Sequence, residues 1–202
     1  MIVLKDKSAS LASFLDLLQK TRERVLKLLS ETKPSIEALD FEDLVYRQAC
    51  EAAKGTEFEG LVERTGKHDF PDIIANQYFG IEVKTTQSDK WNSTGNSVLE
   101  STRREGIEKI FIFFAKLGGN PDIKFRPYHE CLDDIVVTHS PRYRIDMELE
   151  RGRSIFEKMG VAYDELREEE RPISVIKDYY RRQLKDGESL WWIDESGDAS
   201  AS

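Results

Sequence analysis

Three charged side chains interrupt two short apolar runs: Asp72 precedes Ile73 to Ala75, while Glu82 and Lys84 fall at the end of Tyr78 to Val83. The polar Asn76-Gln77 break between the runs predicts a β-hairpin. Glu82 and Lys84 are two apart on its second strand and so share a face, whereas Val83 points the other way into a core. A hairpin centred on Gln77 sets Asp72 opposite Glu82, with Cβ atoms about 5 Å apart on one face. Like charges in that position destabilise a sheet by roughly 0.2–1 kcal/mol. The arrangement makes sense mainly with a cation between the carboxylates. A hard divalent ion such as Mg²⁺ takes oxygen ligands at about 2.0–2.1 Å, from one or two carboxylates plus waters and phosphate oxygens. Asp72 and Glu82 supply that pair. Lys84 lies close enough to orient or help deprotonate an attacking water, or to stabilise charge building on phosphorus. This is the chemistry of metal-assisted phosphodiester hydrolysis. The same three residues also fit an ordinary ion pair on a half-exposed hairpin.

Pro71-Asp72, nine intervening residues, then Glu82-Val83-Lys84 resembles the PD-(D/E)xK signature of the restriction-endonuclease-like nucleases. The flanking Ile73-Ile74 and Phe79-Gly80-Ile81 place the acids on strands. A second tripeptide, Asp122-Ile123-Lys124 after Pro121, lacks an upstream acid on a paired strand. The resemblance covers roughly residues 41–138. It implies an α/β fold with a mixed sheet of about five strands flanked by helices, and Mg²⁺-dependent cleavage of double-stranded DNA leaving 5′-phosphate and 3′-hydroxyl ends. In that reading Asp72 and Glu82 are metal ligands, Lys84 places the water, and Glu42 on the preceding helix is a candidate third acid. First-turn glutamates also suit the helix dipole without any metal. A type II restriction endonuclease or its catalytic domain is the favoured member of the family. A structure-specific repair or resolvase-type nuclease is the alternative, and a non-catalytic DNA-binding subunit of the same fold is another. A double-strand cut needs two sites, so a homodimer or a transient pair is expected.

Composition suits these readings. The chain has 202 residues, 39% hydrophobic and 34% charged, enough for one domain with a sizeable core. No apolar run approaches the roughly 18 residues that cross a bilayer, and no signal-peptide pattern opens the chain, so a cytoplasmic protein with no membrane partner is expected. Cys50 and Cys131 fit neither a metal pattern nor a disulfide framework. The formal charge of −8 excludes a surface that binds nucleic acid all over, but leaves room for a local basic stripe.

The elements that position the hairpin follow in order. Leu11, Phe14, Leu15, Leu18, Val25, Leu28 and Leu29 predict an amphipathic helix over 9–31 that covers a sheet face or a dimer interface. Asp40 is the expected N-cap of a helix over 41–54, with Gly55 as its stop. Gly60 to Glu63 predicts a short strand. The polar stretch 88–97 reads as a loop whose Asn92, Thr94 and Asn96 can meet DNA. A helix is expected over 98–105, carrying Arg103 and Arg104, then a fully buried strand within Ile107 to Leu117, joined to the Glu82 strand by a right-handed parallel crossover. Short strands are expected at 123–126 and 135–138. Arg142 and Arg144, near a further strand end, are candidate phosphate contacts. His129 and His139 lack a partner at metal-ligand spacing. Residues 148–194 read as a helical C-terminal part of one nuclease domain (1–194), with helices over 149–159 and from Pro172. The latter carries a basic face of Lys177, Arg181, Arg182 and Lys185. Residues 195–202 resemble a linker, which suggests a catalytic domain cut from a chain whose remainder, or a separate subunit, recognises DNA sequence.

Overall fold

The computed structural model describes residues 9–31, 38–137, 140–188 and 191–194. The first helix, α1 (Leu11–Glu31), buries Phe14, Leu17, Leu18, Thr21, Val25 and Leu29, the stripe that a 3.6-residue turn demands. Ser10 caps it, its Oγ accepting from the Ser13 amide at 3.0 Å, which satisfies an open first-turn N–H. The second helix, α2 (Ala38–Ala53), begins earlier than expected, so Asp40 lies inside it instead of capping it. Gly55 ends the helix at φ 71°, a conformation that costs glycine least.

The strands, in chain order, are β1 (Val62–Arg64), β2 (Ile73–Ala75), β3 (Phe79–Thr86), β4 (Asn92–Ser97), β5 (Lys109–Lys116), β6 (Asp122–Pro127), β7 (Leu132–Val137) and β8 (Pro141–Asp146). Five of them form a mixed sheet in the order β1-β2-β3-β5-β6, and three form an antiparallel sheet, β4-β8-β7. The expected hairpin is present as β2 and β3, with Ile73 opposite Ile81 and Ala75 opposite Phe79, a register centred on Gln77. Asn76 and Gln77 turn it at φ 53° and 49°, the positive pair of a type I′ turn. β3 and β5 pair in parallel from Phe79↔Lys109 to Thr86↔Lys116.

Alternation splits the five-stranded sheet between two cores. Phe79, Ile81 and Val83 of β3 and Phe111, Phe113 and Ala115 of β5 pack under α1 and α2. Phe14 stacks on Phe79 at 4.4 Å and meets Phe111 edge-on at 5.6 Å. Ile110, Ile112 and Phe114 face the other way, toward the three-stranded sheet and the short helices α3 (Ile155–Met159), α4 (Tyr163–Glu168), α5 (Pro172–Arg181) and α6 (Trp191–Asp194). Among the described residues no helix is long and apolar enough to cross a membrane.

Several expectations change. The stretch expected to loop over 88–97 contributes β4, whose Asn92, Ser93 and Thr94 pair with Asp146, Ile145 and Arg144 of β8. Backbone pairing on a neighbour outweighs the poor strand propensity of Asn, Ser and Gly. The helix expected over 98–105 is instead a run of turns, with Glu100 at φ 43°. The parallel crossover is therefore built from β4 and turns. Of the helix expected over 149–159 only α3 forms, opened by a capping box of Ser154 and Glu157. Pro172 opens α5 as expected, but Arg181 on its basic face is spent on Asp178 at 2.8 Å and the Ile193 carbonyl at 3.0 Å. Trp192 and Ile193 dock into the second core. His139 and the tail 195–202 lie outside the described residues.

One packing constraint ties the fold to the charged cluster. A Cβ on Gly80 would stand 2.4 Å from Pro71 Cγ and 3.0 Å from Ile107, and the proline ring cannot swing aside. Gly80→Ala should destabilise the chain by about 1–3 kcal/mol, a drop of roughly 2–4 °C in Tm per kcal/mol at this size. Thermal unfolding checks it, and an unchanged Tm would contradict the packing described.

Candidate metal and catalytic site

Asp72 stands one residue before β2 and is half-buried, while Glu82 and Lys84 stand in mid-β3. The paired register ends at Ile73↔Ile81, so Asp72 stands just beyond the last pair, close enough to Glu82 for that charge to act on it. Asp72 Oδ2 accepts from the Val83 amide at 2.7 Å, which anchors the first acid to the strand that carries the second. Glu82 is only 2% exposed. Its Oε1 receives Lys84 Nζ at 2.6 Å, whereas its Oε2 is sealed with no partner. A buried polar atom left unmatched costs about 1–3 kcal/mol, more when charged. The Lys84 side chain keeps 23% of its surface exposed, so the cluster is reached from solvent at Lys84 and Asp72.

The electrostatics follow from this burial. Burial first, and the Glu82 charge second, push the Asp72 carboxyl up to about 7, with the Lys84 ammonium and the Val83 amide pulling it back. Burial drags Lys84 down, but the Glu82 and Asp72 carboxylates outweigh it and hold the ammonium above its usual range. Lys84 is therefore a fixed cation that donates hydrogen bonds. It is not poised to take a proton.

A hard cation fits this donor set. Two carboxylates converge, one oxygen is buried and unmatched, and one acid is held protonated up to about 7 by burial and the neighbouring Glu82 charge. Among the described residues no group of three or more His, Cys, Asp or Glu side chains could hold a metal ion. Glu42 is near enough for its charge to bear on Asp72, but its carboxylate pairs with Arg64. Arg64, whose guanidinium also reaches Asp43 at 3.3 Å, went unnoticed in the sequence, where it is one charge on a three-residue strand. Tyr128 was missed as well. Its hydroxyl is buried without a partner, and the Glu82 charge is among those acting on it.

The candidate DNA contacts separate. Asn92, Thr94 and Arg142 are exposed on the outer face of the β4–β8 pair, and the Arg142 charge bears on Lys84. Asn96 is half-buried with its Nδ2 unpartnered. Arg104 is exposed, 3.3 Å from Asp69. Arg144 is gripped by Asp133, with Nε 2.9 Å from Oδ1. Arg103 is a correction: its side chain is 9% exposed and held by Glu100 at 2.9 Å, so it cannot lie along DNA. The second tripeptide is structural, with Asp122 bound by Arg22 at 2.8 Å and Lys124 by Glu148 at 2.9 Å. His129 stacks on Tyr163. The Cys131 thiol is pushed up to about 12 by burial and is inert at neutral pH.

Compared with protein-family models and with curated proteins, the chain matches none.

Asp72 releases its proton at about 7 when folded and near 3.8 when unfolded. The folded state holds the extra proton across that window, so this group's contribution to stability falls as pH rises through it. In chelator, wild type should lose Tm relative to Asp72→Asn between about pH 4 and about pH 7, because the amide cannot ionise. Parallel Tm profiles for the two proteins would contradict this.

Proposed function

We propose that the chain is a Mg²⁺-dependent DNA endonuclease of the restriction-endonuclease-like fold, a type II restriction endonuclease or the catalytic domain of one. The observation that carries this reading is the convergence of Asp72, Glu82 and Lys84 on one sheet face, with a Glu82 oxygen buried and unmatched. The five-stranded mixed sheet, its hairpin and its parallel β3–β5 pair agree with the fold named.

Asp72 and Glu82 would hold the cation, which when bound supplies Lewis-acid polarisation of the phosphodiester. The residues of the chain do the rest. Glu82 fixes the Lys84 ammonium beside the reacting group. From there Lys84 orients the attacking water by hydrogen bonding and opposes the negative charge that develops on phosphorus. Val83 holds Asp72 in line through its amide. Arg142, exposed and near enough for its charge to bear on Lys84, grips a phosphate flanking the scissile one, while Asn92 and Thr94 extend the same face along the duplex. Cutting both strands takes two copies of the chain, as a homodimer or a transient pair.

Incubation of the purified chain with plasmid DNA tests this. Cleavage should require Mg²⁺ and fall at least about 100-fold in Asp72→Ala and in Lys84→Ala. Equal cutting by wild type and both variants would mark a contaminant and end the proposal. Arg142→Ala should retain the chemistry, weaken binding to all sequences alike, and reduce the salt slope of binding by about one. A binding isotherm at two salt concentrations reads that effect.

A further inference from the structure

Asp72 hangs from a strand end, and something must hold the residues before it. Phe70 is clamped by the turns that replaced the expected helix. Its amide donates to Thr102 O at 3.0 Å, and its carbonyl accepts from the Arg104 amide at 2.8 Å, a parallel bridge opposite Arg103. The Arg103 guanidinium lies 5.7 Å from the centre of the Phe70 ring. It donates to Glu100 Oε2 at 2.9 Å, to the Tyr163 hydroxyl at 2.7 Å and to the Ile107 carbonyl at 2.8 Å. The Tyr163 hydroxyl in turn donates to Glu100 Oε1 at 2.8 Å. Both charged side chains are nearly sealed, at 9% and 5% exposure.

Stability does not explain such a group. A buried ion pair is commonly no better than apolar residues of the same size. Glu100 also sits at φ 43°, a conformation that persists in a non-glycine residue only where its surroundings over-determine it. What the group does fix is a path from α4 in the C-terminal helical part, through Tyr163, Glu100 and Arg103, to Phe70, Pro71 and Asp72.

We infer that Tyr163 and Arg103 are positioning residues for Asp72, by which the C-terminal helical part sets the geometry of the two-carboxylate site. The inference rests on the proposed function only where it speaks of Mg²⁺. Its geometric half stands without any cleavage activity.

The Val83 amide, which donates to Asp72 Oδ2 at 2.7 Å, reports the placement of Asp72 directly. In the full chain, Tyr163→Phe keeps the ring and removes the hydroxyl. It should move the Val83 amide proton upfield in the NMR spectrum, speed its exchange, and weaken Mg²⁺ binding by calorimetry several-fold. Tyr180→Phe is the control. That hydroxyl accepts from the Ile135 amide at 3.1 Å and bonds Asp134, away from the hairpin, and its loss should leave the Val83 signal and Mg²⁺ affinity unchanged. Arg103→Lys, which keeps the charge and loses the guanidinium fork, should behave as Tyr163→Phe does and carries the test if that variant does not fold. A folded Tyr163→Phe or Arg103→Lys with the wild-type Val83 signal would overturn the inference, as would Tyr180→Phe shifting it equally. A chain that never cuts DNA but shows the Val83 shift would sink the nuclease reading and leave the positioning role intact.

Discussion

The Glu82–Lys84 ion pair is the constraint around which the rest is arranged. It lies in the middle of the sheet, on a strand whose opposite face is packed under two helices. Bringing two charges to such a place costs several kcal/mol each before their attraction is counted. One bond between them leaves Glu82 Oε2 unmatched. Nothing in the packing requires charge here, since neighbouring Ile112 and Phe114, across the strand gap on the same face, show that apolar side chains fill it. The pair is thus a cost borne by the fold, and under the proposed function an oxygen-seeking cation would turn that cost into a binding site.

The second core serves this pair. The three-stranded sheet and the short C-terminal helices cover the Glu82 face, which removes water from one side of the carboxylate. The Asp72 side remains half-open because β2 is short and begins only after Asp72. That asymmetry explains why the two acids differ in setting. Glu82 is locked by Lys84 and burial, whereas Asp72 hangs from the Val83 amide and titrates within the neutral range.

Period and register carried most of what the sequence disclosed. Alternation around Val83, and the Asn76-Gln77 break, gave the hairpin, its register and hence the meeting of Asp72, Glu82 and Lys84, because each follows from local rules about strands and turns. The apolar stripes of α1 and α2, the buried β5 and the start of α5 at Pro172 were legible for the same reason. What failed was long-range. Asn92 to Ser97 form a strand only because β8, some fifty residues later, offers its backbone. The charged and polar run 98–105 reads as helix until Phe70 and Tyr163 capture Arg103 and Glu100. No spacing rule reveals that Arg103 is buried while Arg104, its neighbour, is not.

The acidity of the whole chain gains a sense from the same cluster. With Asp72 ionised, two carboxylates and one ammonium leave a net negative charge in the cluster, which repels an anion such as a phosphodiester. Protonation of Asp72 below about 7 neutralises that charge without creating attraction. Under the proposed function a bound dication would reverse the sign, and Arg142, whose charge bears on Lys84, would then add to the pull on a chain of charge −8. In the proposed reading, attraction for nucleic acid is thereby made conditional on the metal.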